Sequence, residues 1–130
     1  MAGKSSVDIL DKCLKEIQEI GQFLRSPYGV HPPELSERIS QLVGYHARLP
    51  EIVAQLDYVV YEAKAKASEE LIGLYPDMGA TTLKIKIEGR CKRELSAQKF
   101  AERLDSACVH QIDGVRSQLS YLKSLNDYGG

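Results

Sequence analysis

One long apolar stripe constrains what this chain can fold into. Between Leu35 and Ala67, apolar or weakly polar residues recur alternately four and three positions apart. This spacing places them on one face of an α-helix for more than four heptads. At 1.5 Å per residue the stripe lies on a rod of roughly 50 Å, so a second helix of similar length is needed to cover it. The members are Leu35, Ile39, Leu42, His46, Leu49, Val53, Leu56, Val60, Ala63 and Ala67.

The composition is that of one globular domain, predicted to span residues 1–130. Of the 130 residues, 43% are hydrophobic, which is enough for a core. The 17 basic and 18 acidic residues leave a formal net charge of -1, so the overall field indicates neither nucleic acid nor an anionic membrane as a partner. No apolar run has the length of a signal peptide or a membrane span, and we expect a cytoplasmic protein.

A shorter helix is predicted before the stripe, over about residues 6–25. Ser5 is a suitable N-cap. The apolar residues that follow it keep the helical spacing of three and four: Val7, Leu10, Leu14, Ile17, Gly21 and Leu24. Residues 26–33 contain three prolines and a glycine, so this segment is predicted to be a connector.

The main helix is predicted over about residues 34–74, although Pro50 interrupts it. A proline inside a helix removes one backbone hydrogen bond, and the helix then either breaks or kinks. Leu42, Leu49 and Leu56 stay seven residues apart across Pro50, and a loop would have no reason to keep that register. We therefore favour a continuous helix, kinked or not, over a break at residues 48–50.

A turn at residues 75–81 precedes a stretch that fits two structures. Residues 82–88 alternate between polar and apolar, as in a half-buried strand. No other segment offers a strand to pair with them. Helical spacing of four also continues through this stretch, at Leu83, Ile87, Cys91 and Leu95. We therefore predict one long helix over about residues 82–125, followed by a fraying tail that carries Tyr128.

Together these helices predict an all-α fold: a long antiparallel helical hairpin, coiled-coil-like, with a shorter N-terminal helix packed on it. Because the first helix is about half as long as either arm, it can cover only part of the apolar surface. The uncovered part predicts a homo-oligomer. The core or oligomer stripe is expected to contain Leu42, Leu49, Leu56, Val60, Val115, Leu119 and Leu122.

The layout and the final motif resemble a family of small helical proteins encoded by phages and prophages. The motif is Arg-Ser-Gln-Leu-Ser at residues 116–120, followed by Leu122 and Leu125. Residues 49–52 (Leu-Pro-Glu-Ile) are similar to an LPEL-like segment in that family, and an alanine- and lysine-rich run precedes the turn. The resemblance covers residues 34–125. It implies a helical hairpin encoded beside recombination or single-stranded DNA-binding genes, and it brings no catalytic residue.

Sequence patterns for catalysis do not occur. The chain has no phosphate-binding loop and no GxSxG, HExxH or CxxC motif. Cys108 and His110 are two positions apart and would point in different directions on a helix. We predict that the protein is not an enzyme and holds neither cofactor nor metal. The cysteines, Cys13 among them, are interpreted as reduced packing residues, with a disulfide or redox switch as the alternative.

His46 stands in the main stripe and leaves several roles open. It is either satisfied by a neighbouring side chain or serves as a register-setting or pH-sensitive polar contact.

The strongest functional signal is a cluster of basic residues, opposed within its window by Glu88 alone: Lys84, Lys86, Arg90, Lys92 and Arg93. With Lys64 and Lys66 they would gather at the tip of the hairpin and could hold phosphates in a salt-dependent manner. The alternative is a solvated helix end that is balanced by Glu62, Glu69, Glu70 and Glu94. Nearby tyrosines could stack on bases but are more often interface aromatics: Tyr58, Tyr61 and Tyr75.

We therefore expect a non-enzymatic, homo-oligomeric helical interaction protein. By resemblance it is a phage or prophage accessory factor in DNA recombination or replication, whose further partner is a phage or host protein of DNA metabolism and not a membrane. The alternative is a protein that binds single-stranded or duplex DNA directly through the basic hairpin tip.

Overall fold

Two long arms of α-helix dominate the fold. The computed structural model describes the backbone of residues 5–129 and the side chains of residues 5–126. The helices are α1 (Ser6–Arg25), α2 (Pro32–Leu74), α3 (Ala80–Arg90) and α4 (Lys92–Gly129). α2 packs antiparallel on α3 and α4, and α1 packs against α2 and α4. The predicted all-α hairpin with a shorter helix on it is confirmed.

α1 begins and ends where its sequence provides caps. The Ser5 hydroxyl accepts a hydrogen bond from the Asp8 backbone N–H at 3.2 Å, and the Ser26 N–H donates to the Phe23 carbonyl at 3.0 Å. The buried face of α1 includes Gly21, where an added Cβ would lie 3.4 Å from the Phe100 ring of α4. This is an ordinary van der Waals distance, so the packing of α1 on α4 would also admit an alanine at this position.

α2 continues through Pro50 and is 43 residues long. Pro32 lies in its first turn, where a missing N–H costs nothing. Pro50 is exposed, so the carbonyl that loses its helical partner there can be hydrated. The register of Leu42, Leu49 and Leu56 is kept across the proline, and all three side chains are completely buried.

The last helical segment differs from the single helix predicted over residues 82–125, because it is divided at Cys91. The Cys91 N–H is shared between the carbonyls of Ile87 and Glu88, at 3.2 Å each, which tightens this turn beside the poor helix former Gly89. The regular helical hydrogen bonds resume directly after this turn. Residues 82–88 are helical, which excludes the strand alternative. α4 runs to Gly129, past the predicted end, and the side chain of Tyr128 lies outside the described residues.

The core consists of two clusters of buried side chains along the hairpin. In the larger cluster α1, α2 and α4 meet, and in the smaller one Leu35 and Leu42 of α2 contact Ile112 and Val115 of α4. Of the predicted stripe residues, Leu119 and Leu122 are half-buried, whereas the others are buried: Leu42, Leu49, Leu56, Val60 and Val115.

α1 does not reach α3, although its N-terminal half lies beside the first turn of α4, where Arg93 donates to Asp11. α3 contacts α2 and α4 but not α1, and α3 contains no buried residue. Around α3 the hairpin therefore consists of its two arms, whereas α1 adds a third helix at the larger core cluster. No helix within residues 5–129 combines the length and the apolar character needed to cross a lipid bilayer.

Candidate functional site

The basic cluster lies at the tip, on α3 and the first turn of α4. All five side chains are exposed: Lys84, Lys86, Arg90, Lys92 and Arg93. Arg90 donates to Glu70 and Arg93 donates to Asp11, both with N–O distances of 3.0 Å. The two arginines thus tie α3 to α2 and α4 to α1. The three lysines make no ion pair with the described residues.

A groove of about 420 Å³ separates α2 from α3 at this tip. Its apolar walls include Ala65 of α2 and Leu83 and Ile87 of α3. Two lysines, Lys64 and Lys84, and one acidic residue, Glu88, also line it. The structure therefore places part of the basic cluster beside an apolar surface, a combination that suits an amphipathic partner better than a bare phosphate backbone.

A second apolar stripe on α2, missed in the sequence analysis, leads out of this groove. We call it the outer stripe; it consists of Val43, Ala47, Pro50, Ala54, Tyr61, Ala65, Ser68 and Ile72. Its spacing of three, four and seven keeps it on one helical face. Ser68 is half-buried and the other members are exposed. Tyr61 is 70% exposed and Ile72 is 52% exposed, although neither is close to a chain end.

The outer stripe lies on a different face of α2 from the face that α1 covers. α1 contacts α2 through Gln55, which accepts from the Cys13 thiol at 3.3 Å, and through Arg48, which donates to Glu16 at 2.8 Å. At 100° per residue these positions lie roughly 110° to 130° around the helix from the centre of the outer stripe. The described helices therefore leave this face uncovered.

The tyrosines on and beside the outer stripe expose a large apolar area. Tyr58, Tyr61 and Tyr75 are 51%, 70% and 53% exposed. At about 200 Å² for each side chain, they present about 350 Å² to solvent. Tyr75 lies about 21 Å beyond Tyr61 along the helix, so this area is spread along α2 and is similar in size to the largest apolar patch that a soluble monomer exposes.

His46 is satisfied by a neighbouring side chain. Its Nδ1 lies 2.7 Å from the Asp105 carboxylate on α4, and both side chains are about 40% exposed. With Nδ1–H donating, the ring joins the two arms of the hairpin. Asp105 could not be singled out from the sequence, because the register of α4 against α2 depends on the tertiary packing.

The three cysteines are free and buried, and they are not poised for chemistry. Burial is the main reason that the pKa of each thiol is raised, and a nearby carboxylate adds to the effect in each case: Glu16 at Cys13, Glu94 at Cys91 and Asp105 at Cys108. The thiols therefore stay protonated, and a protonated thiol is a poor nucleophile. Cys108 is buried whereas His110 is exposed, so the two do not form a pair.

Arg38 was missed in the sequence analysis and is the one buried charged side chain among residues 5–126. Its guanidinium lies 4.0 Å from the centre of the Phe23 ring and 4.5 Å from that of Tyr28. It donates to the Phe23 carbonyl at 2.9 Å and to the Gln111 side-chain oxygen at 2.8 Å. Desolvation lowers the pKa of Arg38.

These contacts make Arg38 a clamp between three helices. It also reaches the Leu24 carbonyl and the Ser26 hydroxyl, at 3.3 and 3.0 Å, so it binds the negative end of the α1 dipole. The signal in the sequence was its spacing, since Arg38 is three residues after Leu35 and four before Leu42.

No set of three or more His, Cys, Asp or Glu side chains among the described residues is arranged to hold a metal ion. Comparison of the chain with protein-family models, with curated proteins and with solved structures finds no match.

Proposed function

We propose that this protein is a non-catalytic helical interaction protein that self-associates. From the resemblance of its hairpin motifs, we also propose that it is a phage or prophage accessory factor in DNA recombination or replication, which acts in the cytoplasm on a phage or host protein of DNA metabolism. The observation that supports self-association best is the outer stripe, a largely exposed helical face on which Asp57, between Ala54 and Tyr61, is the charged residue and which no described helix covers.

The rest of the surface fits a binding role better than a catalytic one. The buried thiols are protonated, and His46 is hydrogen bonded to Asp105. The groove beside the outer stripe combines apolar walls with two lysines, which is a surface suited to a helix.

Direct DNA binding is the second candidate, and the exposed lysines at the tip favour it: Lys84, Lys86 and Lys92. Arg90 and Arg93 weaken this candidate, because phosphates would have to compete with Glu70 and Asp11 for them. A cluster with two engaged arginines releases fewer counterions on binding, so its affinity for DNA is expected to be lower.

Light scattering on the full chain at tens of micromolar tests the proposal. We expect the mass of a dimer or a larger assembly, and we expect Tyr61→Glu to reduce it to the monomer mass. Tyr121→Glu is the matched control, because Tyr121 is 64% exposed but lies on α4, outside the outer stripe. A monomer mass for the unaltered chain would remove the proposal of self-association.

A further inference from the structure

We infer that a second copy of this chain covers the outer stripe, with the two α2 helices antiparallel about a two-fold axis between positions 57 and 58. This inference rests on the proposed self-association and names the surface and the geometry by which it occurs. Three observations carry it: the order of large and small residues along the stripe, the position of the charged residues, and the surface area of the chain.

The order of residue sizes favours one antiparallel register. When position 57 of one copy faces position 58 of the other, all eight members of the outer stripe meet one another. The large Tyr61 faces the small Ala54 of the partner subunit, and Ile72 faces Val43 of the partner subunit. The remaining pairs are Ala47 with Ser68 and Pro50 with Ala65. In two of these four pairs, Tyr61 with Ala54 and Pro50 with Ala65, a small side chain lies opposite a larger one, which allows knobs-into-holes packing at those levels.

Neighbouring registers fit less well. A shift of one heptad in one direction places Ile72 opposite Ser36 of the partner subunit, and a shift in the other direction places Val43 opposite Gly79 of the partner subunit, which precedes α3. Either shift leaves one end of the stripe without an apolar contact. The favoured register covers about 43 Å of helix, from Val43 to Ile72.

The same register brings opposite charges to the same level. Lys64 and Lys84 line the groove at the tip, and position 64 faces position 51 of the second copy. Contacts between the arms, His46 with Asp105 and Asp57 with Gln98, place α4 near residue 102 at the level of position 51. The lysines of one tip are therefore level with Glu102 of the partner subunit, an exposed acidic residue that has the exposed bases Lys99 and Arg103 beside it in the same chain.

The surface area of the chain is sufficient for such an interface. The accessible surface is 8745 Å². A compact monomer of 14.5 kDa is expected to expose about 6,900 Å². The excess of roughly 1,800 Å² reflects the elongated shape of the hairpin, and a standard interface would bury about 800 Å² on each partner.

Disulfide trapping tests the register. Tyr58→Cys places a thiol beside its own symmetry mate, next to the two-fold axis, where a disulfide can form across the short Cβ–Cβ distance that it requires. Ile72→Cys is the matched control, because Ile72 is 52% exposed and Tyr58 is 51% exposed. The two copies of position 72 would be about 43 Å apart and cannot be joined. The native thiols are buried and do not compete.

Under mild oxidation we expect Tyr58→Cys to give more than half covalent dimer on a non-reducing gel and Ile72→Cys alone to give none. An equimolar mixture of Ile72→Cys and Val43→Cys chains should give a mixed dimer. Self-linking of Ile72→Cys would instead indicate parallel helices and overturn the inference. A dimer mass without either predicted cross-link also overturns it, while the proposed self-association stands. A monomer mass with no cross-link refutes both.

Discussion

Replacing Arg38 by alanine should weaken the packing of the C-terminal end of α1 on α2 and α4. The substitution removes hydrogen bonds to the Phe23 and Leu24 carbonyls, to Ser26 and to Gln111, and it removes the contacts with two aromatic rings. It also leaves a space where a long buried side chain packed.

The magnitude follows from the groups left behind. A buried polar atom that loses its partner costs about 1 to 3 kcal/mol, and Arg38 satisfies several such atoms at once. On the other hand, the folded alanine variant no longer buries a cation that has no ion-pair partner, and burying such an ion costs several kcal/mol. We therefore expect a net loss of about 1 to 3 kcal/mol in the free energy of unfolding, because the groups left behind are neutral carbonyl, hydroxyl and amide groups.

Urea denaturation followed by circular dichroism measures this loss. Arg48→Ala is the matched control, because Arg48 also links α2 to α1, at 2.8 Å from Glu16, but its side chain is 50% exposed. An exposed ion pair contributes about 0 to 1 kcal/mol, so the control should unfold almost as the unaltered chain does. Arg38→Lys should fall between the two, because lysine cannot reproduce the planar fork. If Arg38→Ala costs no more than Arg48→Ala, the clamp does not stabilise the fold.

Three further predictions concern the core, the thiols and the tip. Leu56→Ala, at a completely buried position, should lower the free energy of unfolding by about 2 to 5 kcal/mol in the same assay, whereas Val7→Ala at an exposed position should change it by less than about 0.5 kcal/mol. Because the native thiols have raised pKa values, the native state keeps protons that the unfolded chain loses above about pH 9, so the free energy of unfolding should fall as the pH rises through that range. It should fall less steeply in Cys108→Ala, and equal slopes in the two proteins would contradict this account. Short single-stranded or duplex DNA should bind weakly and only at low salt; tight binding at physiological salt that Lys84→Glu abolishes would support the DNA-binding alternative instead.

Helical periodicity was enough to predict the architecture. The stripe from Leu35 to Ala67 required a long helix and a partner arm, and residues 26–33 required a connector, because prolines exclude both helix and strand. The division at Cys91 was not predicted, since one shared hydrogen bond changes no pattern of polar and apolar residues. Such a local distortion depends on how the turn packs against its neighbours, and the spacing of polar and apolar residues does not encode that packing.

The candidate site was predictable only in part. The basic cluster could be placed at the tip from its sequence position, but its pairing with Glu70 and Asp11 depends on how α1 and α2 are rotated towards it. The outer stripe was hidden by its composition, because Ala47, Ala54 and Ala65 are small and occur equally on solvated faces. Its exposure became evident once α1 was seen to pack elsewhere on α2.

The absence of buried residues in α3 has a consequence for the order in which parts of the fold open. A segment with few buried contacts exchanges its amide hydrogens through local unfolding at a free energy well below that of the whole domain. We therefore expect the tip to open separately, with the amide-exchange protection of residues 80–90 lost before that of the α2 residues that pack on α1. Since Tyr61 and Ala65 border the tip, a second copy bound there would raise its protection, so assembly and ordering of the tip are thermodynamically linked.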